Sequence, residues 1–315
     1  MQFRTQIPIQ KNNAPISYNS EIVSLGSCFA VNMGEKFNHF KFRNIINPFG
    51  ILFHPLALEK FIGFAINNKQ FTENDIFYYN ERWHCFDAHS DLSNTDKETL
   101  LQNLNDAVTG TSQSLKSCSH LIITLGTAWI YKNIESGNTV ANCHKVSQKH
   151  FVKQLLDTDA IKQSLSNLTY MVSDINPDIH IIFTISPVRH IKDGFPENQW
   201  SKANLITAVH ESVKGKTNTS YFPSYEIMMD ELRDYRFYTE DMIHPNQIAI
   251  DYIWERFTEG NIANEAHAIM NEVDSIQKAL QHRSFNPDSD QHKAFLGKVS
   301  ARIKEVAQKY PHMNF

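Results

Sequence analysis

Apolar residues in this chain fall into two kinds of run. Short continuous ones, at Ile22-Val23 with Leu25, Leu121 to Leu125 and Ile179 to Ile185, are β-prone and too short for buried helices. Ile45-Ile46 and Tyr221-Phe222 predict two further short strands, and Phe3 to Ile9 an edge strand in a polar lead-in. Between the strands the spacing is helical. A helix begins near Cys28, and others are predicted over Leu56–Ile66, Thr95–Ser117, Ser201–Lys214 and Tyr225–Leu232. Phe151, Leu155, Ile161, Leu165, Leu168 and Val172 predict a long helical region from Gln148 to Asn176. Ile250, Ile253, Trp254 and Phe257 mark another after Pro245, with Gly260 beyond its end. The aromatic-rich stretch 71–92 predicts a β-hairpin, and Trp129–Lys132 with Asn138–His144 a loop or a second short hairpin. Strand alternating with helix predicts an α/β fold, its mostly parallel sheet covered on both faces. From residue 261 the pattern changes to two helices, Ala263–Gln281 and Gln291–Lys309, so the chain divides into a main domain over 1–260 and a helical hairpin over 261–315.

Composition narrows the function classes. With 315 residues, 41% of them hydrophobic, the chain can bury a large core. A net charge of −4 without any Lys/Arg block argues against nucleic acid or an anionic membrane as partner. No apolar run approaches the roughly 20 residues that span a bilayer, so no membrane insertion is expected. Met1 to Gln10 lacks a signal-peptide h-region, and the four cysteines form no CxxC pair. Free thiols and a cytoplasmic location are therefore expected. The C-terminal hairpin is a candidate for covering a pocket or for forming a homodimer.

Two stretches carry candidate chemistry. Glu21 to Phe37 reads as strand, tight turn and helix, with Gly26 supplying the turn and Ser27 following at once. A serine there stands where open α/β sheets place their ligands, and its N–H lies at a helix N-terminus. It is equally a good N-cap. Far along the chain, Asp241-x-x-His244-Pro245 sets a carboxylate within reach of the imidazole Nδ1–H, which leaves Nε2 to take a proton. Cys28 points about 100° away from its neighbour on a helix and is expected to pack in the core. His84, His89, Cys143 and His144 match no standard zinc spacing and are expected to be hydrogen-bonded residues of a pocket wall. Neither a metal nor another cofactor is implied. Arg189 and His190 are candidates for binding an anionic group or for local pairing.

Taken in order, these motifs resemble the SGNH/GDSL hydrolase superfamily, and more closely the GSCFA domain family, named for the pentapeptide Gly26-Ser27-Cys28-Phe29-Ala30. Asn47-Pro48-Phe49-Gly50, Leu125-Gly126-Thr127-Ala128-Trp129, Asn142-Cys143-His144-Lys145 and Ser186-Pro187-Val188-Arg189-His190 are similar to that family's other segments. The resemblance implies a flavodoxin-like, three-layer α/β/α fold. It implies a serine esterase or acyl hydrolase working through an acyl-enzyme, with Ser27 as nucleophile, His244 as base and Asp241 as its orienting partner. The oxyanion would meet the N–H groups of Ser27 and Gly50. The superfamily's third donor is an Asn, but Ala128 stands in that place; Asn142, Thr127 and His190 are the candidate replacements. Thr127, His144, Arg189 and His190 would line the site of a small-molecule or glycan ester substrate. The competing expectation is a carbohydrate-binding module on a hydrolase-like fold, favoured by Ala128 and the aromatic 71–92 stretch.

Overall fold

A computed structural model describes residues 5–315. The strands are β1 (Glu21–Gly26), β2 (Arg43–Ile46), β3 (Phe77–Tyr79), β4 (Arg82–His84), β5 (His120–Leu125), β6 (Trp129–Asn133), β7 (Thr139–Val140), β8 (Phe151–Leu155), β9 (His180–Ile185) and β10 (Thr219–Phe222). The helices are α1 (Cys28–His39), α2 (Pro55–Ile66), α3 (Lys97–Ser117), α4 (Thr158–Ile175), α5 (Phe195–Val213), α6 (Ser224–Glu226, continued by a π-turn over Ile227–Glu231), α7 (Gln247–Asn261), α8 (Ala266–Gln281) and α9 (Asp290–Lys309).

Five strands form a parallel sheet in the order β10-β9-β5-β1-β2. Side chains alternate between its faces. Val23, Leu25, Leu121, Ile123, Ile181 and Phe183 pack against α2, α3, α4 and α5. Ile22, Ile122, Ile182 and Phe222 pack on the other face against α1, α7, α8 and α9. The result is a three-layer α/β/α fold. Phe37 of α1 meets Trp254 and Phe257 of α7 edge-on, at 4.9 and 5.8 Å between ring centres, which fixes these two helices against each other. Helices α8 and α9 extend this second face rather than standing apart, because Met270, Val273, Val299 and Val306 join its core. No described helix is long and apolar enough to cross a membrane.

Three expectations need correction. Residues 148–176 are not one helix: Phe151–Leu155 is strand β8, paired antiparallel with β6, and the helix begins only at Thr158 behind the Asp157 cap. Phe151 and Leu155 are four apart, a spacing that satisfies both a helix face and a strand face. Gly260 lies inside α7, where its missing Cβ leaves room for Ile9 and Gln10 of the lead-in. The edge strand over Phe3–Ile9 lies partly outside the described residues, and residues 5–9 are irregular.

Candidate functional site

The site is built at the carboxyl end of the parallel sheet. Gly26 closes β1 at φ +136°, and an added Cβ would lie 2.1 Å from the Thr124 carbonyl oxygen, so only glycine makes this turn. The Asn47 side chain accepts from the Gly26 N–H at 2.8 Å, and the Leu52 N–H donates to the Gly26 carbonyl at 3.0 Å. These bonds fasten the Asn47–Gly50 turn against the start of α1.

Ser27 is the N-cap of α1: its hydroxyl accepts from the Phe29 N–H at 3.3 Å. It is 0% exposed, and its own N–H donates to the Thr124 carbonyl at 3.0 Å. The Gly50 N–H closes its turn onto the Asn47 carbonyl at 2.7 Å. Both expected oxyanion donors are therefore engaged by the backbone. The next amide, Ile51 N–H, has no partner among the described residues.

Cys28 corrects the core-packing expectation. It is half-buried and, with Ile51 and His244, lines a cleft of about 450 Å³ between α1 and the start of α7. Burial, with a smaller push from Asp241, holds its thiol above the ordinary value against the pull of Lys202 and the Phe29 and Cys28 amides.

The loop before α7 holds the dyad. His244 Nδ1 and Asp241 Oδ2 are 2.6 Å apart. The other carboxylate oxygen accepts from the Thr239 hydroxyl at 2.7 Å and from the N–H groups of Ile243 and His244 at 2.8 and 3.0 Å. One oxygen thus shapes the loop and the other orients the ring. These bonds, the Thr239 hydroxyl foremost, hold the Asp241 carboxyl well below the usual carboxylate range. An ionised Asp241 takes the Nδ1 proton as its hydrogen bond, leaving the lone pair on Nε2.

Arg189 serves this loop. Its guanidinium bonds the Met242 carbonyl and lies 4.4 Å over the Tyr238 ring, and its N–H donates to the Ile243 carbonyl at 3.3 Å. This is local pairing, the second of the two roles expected for it.

The remaining predicted residues, Thr127, Asn142, His144 and His190, line a second cavity of about 380 Å³ with Phe53, Trp129 and Tyr131, and of these His190 also stands near Ser27 and His244. The Thr127 hydroxyl lies 3.1 Å from that of Ser201 and accepts from the Trp129 N–H at 3.0 Å. Asn142 Oδ1 accepts from the His144 N–H at 2.8 Å, and His144 Nε2 donates to the Cys85 carbonyl at 2.7 Å. Ala128 is 0% exposed, with its N–H on the Ser201 hydroxyl at 2.7 Å, so nothing from that position faces the cleft. His190 Nε2 is buried without a partner among the described residues, close to Gly126 and Ser27. His84 is hydrogen-bonded through both nitrogens, to Ser93 at 2.7 Å and Tyr79 at 3.0 Å. Among the described residues, no three metal-ligating side chains are grouped.

Lys202 had no signal in the sequence. It sits on α5 at 1% exposure and donates to the carbonyls of Gly126 at 2.8 Å and Ser186 at 2.7 Å, tying the ends of β5 and β9 together. Burial pushes its ammonium down to about 7.

A family model described as GSCFA family matches residues 21–257, and a second, described as GSCFA domain protein, C-terminal domain, matches residues 273–315. No curated protein matches the chain.

Proposed function

The chain belongs to the GSCFA family, and from that premise we propose that it is an acyl hydrolase of the SGNH/GDSL hydrolase-like type, cleaving a small ester or an acylated carbohydrate through an acyl-enzyme. The observation that carries this reading is the Asp241–His244 pair, its Nδ1 contact at 2.6 Å, in a loop that opens onto the first turn of α1. His244 Nε2 takes the proton of a nucleophile from that turn as it attacks the ester carbonyl. The imidazolium, steadied by Asp241, then protonates the departing alcohol. Water enters, His244 acts as base again, and the acid leaves. The oxyanion is met by amides at the start of α1 and by the Ile51 N–H, which the fold leaves unbonded. Wild-type protein should hydrolyse p-nitrophenyl acetate, and His244→Ala should slow turnover at least about 1000-fold. Equal rates in the two proteins, or a wild-type rate no faster than buffer, would remove the reading.

A second reading has its own support. The N–H groups of Ser27 and Gly50 are engaged, Ala128 is buried, and the 380 Å³ cavity is walled by Phe53, Trp129 and Tyr131. Aromatic walls beside amide side chains suit a carbohydrate. A panel of acetylated oligosaccharides should then raise the melting temperature without release of acetate; steady acetate release excludes a binding-only role.

A further inference from the structure

We propose that Cys28, and not Ser27, is the attacking residue, so that the acyl-enzyme is a thioester on the Cys28 sulfur. This rests on the hydrolase reading above. Three observations carry it. The first is what the fold does with Ser27: it is 0% exposed, its hydroxyl caps α1 at 3.3 Å and its N–H is bonded to Thr124. Turning that hydroxyl towards a substrate would break the cap. The second is the shared cleft: Cys28 is half-buried and lines the same 450 Å³ space as His244, across the gap between α1 and α7. The third is the surroundings of the sulfur. It sits on the first turn of α1, where N–H groups lack helical partners and the helix dipole favours a thiolate. Lys202 beneath it pulls the thiol down, against burial and the Asp241 carboxylate, which push it up and prevail. The other thiols lack this setting, since Cys85 and Cys118 belong to the core and Cys143 to the other cavity.

Burial keeps the Cys28 thiol protonated at rest, which gives His244 its task. In the first step the S–H bond breaks, its proton moves to His244 Nε2, and sulfur bonds the acyl carbon. The acyl C–O bond then breaks, and the alkoxide leaves with the proton from His244. In the second step water gives a proton to His244 and attacks the thioester. The C–S bond breaks, the acid departs, and the thiol regains its proton. Nothing is oxidised or reduced. Ester, thioester and activated acyl donors all fit this sequence.

The test uses the full chain with p-nitrophenyl acetate. Acid-quenched wild type should carry an acetyl group on the peptide containing Cys28, and neutral hydroxylamine should remove it. Cys28→Ala should lose at least about 1000-fold in turnover, whereas Ser27→Ala should stay within about tenfold. An acetyl group on Ser27, or full activity in Cys28→Ala alongside an inactive His244→Ala, would overturn the proposal while leaving the hydrolase reading in place. Alkylation by iodoacetamide, followed by peptide mapping, needs no substrate. Cys28 should react at least about tenfold faster in wild type than in His244→Ala, since the imidazole draws off its proton. Equal alkylation rates would sink the assignment even if no ester were turned over.

Discussion

The cleft at the first turn of α1 and the cavity beside Asn142 lie at one end of the same sheet, and histidines wall both. They differ in exposure and in the charge at hand. In the cavity, His54 accepts from the Ala57 N–H at 3.1 Å and donates to the Val140 carbonyl at 3.1 Å, and His144 is tied to Cys85 through Nε2, while His144 Nδ1 and His190 Nε2 are buried without a partner among the described residues. Burial pushes His54 and His144 down to about 4 and His190 to about 3, so all three are neutral at physiological pH. In the cleft, His244 is 46% exposed on its side chain, fastened at one nitrogen to a carboxylate and open at the other. A free ring nitrogen serves a substrate best where it is exposed and a neighbouring charge orients the ring.

That contrast can be broken most sharply at Asp241. Replacing it by Asn keeps the volume but removes the charge that sets the ring's tautomer, and should lower p-nitrophenyl acetate turnover about 1000- to 10,000-fold. Asn142→Ala, in the cavity, should leave that rate within about threefold. Comparable losses in steady-state assays of the two variants would erase the distinction between cleft and cavity.

An acid titration should expose the cavity side. A buried histidine whose folded value lies below its unfolded one binds fewer protons when folded, so its contribution is present above about pH 6.5 and lost as pH falls. For His54, pushed down to about 4, the loss at pH 5 is about 2 kcal/mol. His54→Asn keeps a good N-cap for α2 and cannot titrate. Denaturant unfolding at pH 7.5 and 5.0 should show a smaller drop for this variant; an unchanged drop would mean that the neutral His54 is not a source of the acid sensitivity.

The smallest effect belongs to Ser27. Removing its cap should cost about 1 kcal/mol, or roughly 2 °C in melting temperature. Calorimetry showing no shift would deny the hydroxyl its structural role.

The sequence carried the layered fold because the strands at Leu121–Leu125 and Ile179–Ile185 are continuous apolar runs that only a sheet covered on both sides can bury. It carried the dyad because Asp241 and His244 are three residues apart, within the reach of local geometry. It misplaced β8, since the separation of Phe151 and Leu155 serves either period. It put the nucleophile at Ser27, and Cys28 in the core; the burial of Ser27 and the half-exposure of Cys28 depend on contacts from other strands, such as the Thr124 carbonyl that takes up the Ser27 amide. Asn142 and Thr127 were nominated for their chemistry, and only the folded chain shows the Asn142 Oδ1 taken up by the His144 N–H and the Thr127 hydroxyl set against that of Ser201. Lys202 was invisible for the opposite reason: a lysine on an amphipathic helix is ordinarily assigned to water, and the carbonyls that hold it come from loops 76 and 16 residues away.

Because Lys202 holds the ends of β5 and β9 from inside, its amine is shielded from bulk reagents for as long as those ends stay joined. Acetic anhydride will modify exposed lysines at once and this one only when the junction parts. The lag between the two is a chemical clock for the breathing of the strand ends beneath the cleft, readable by mass spectrometry without any substrate in hand.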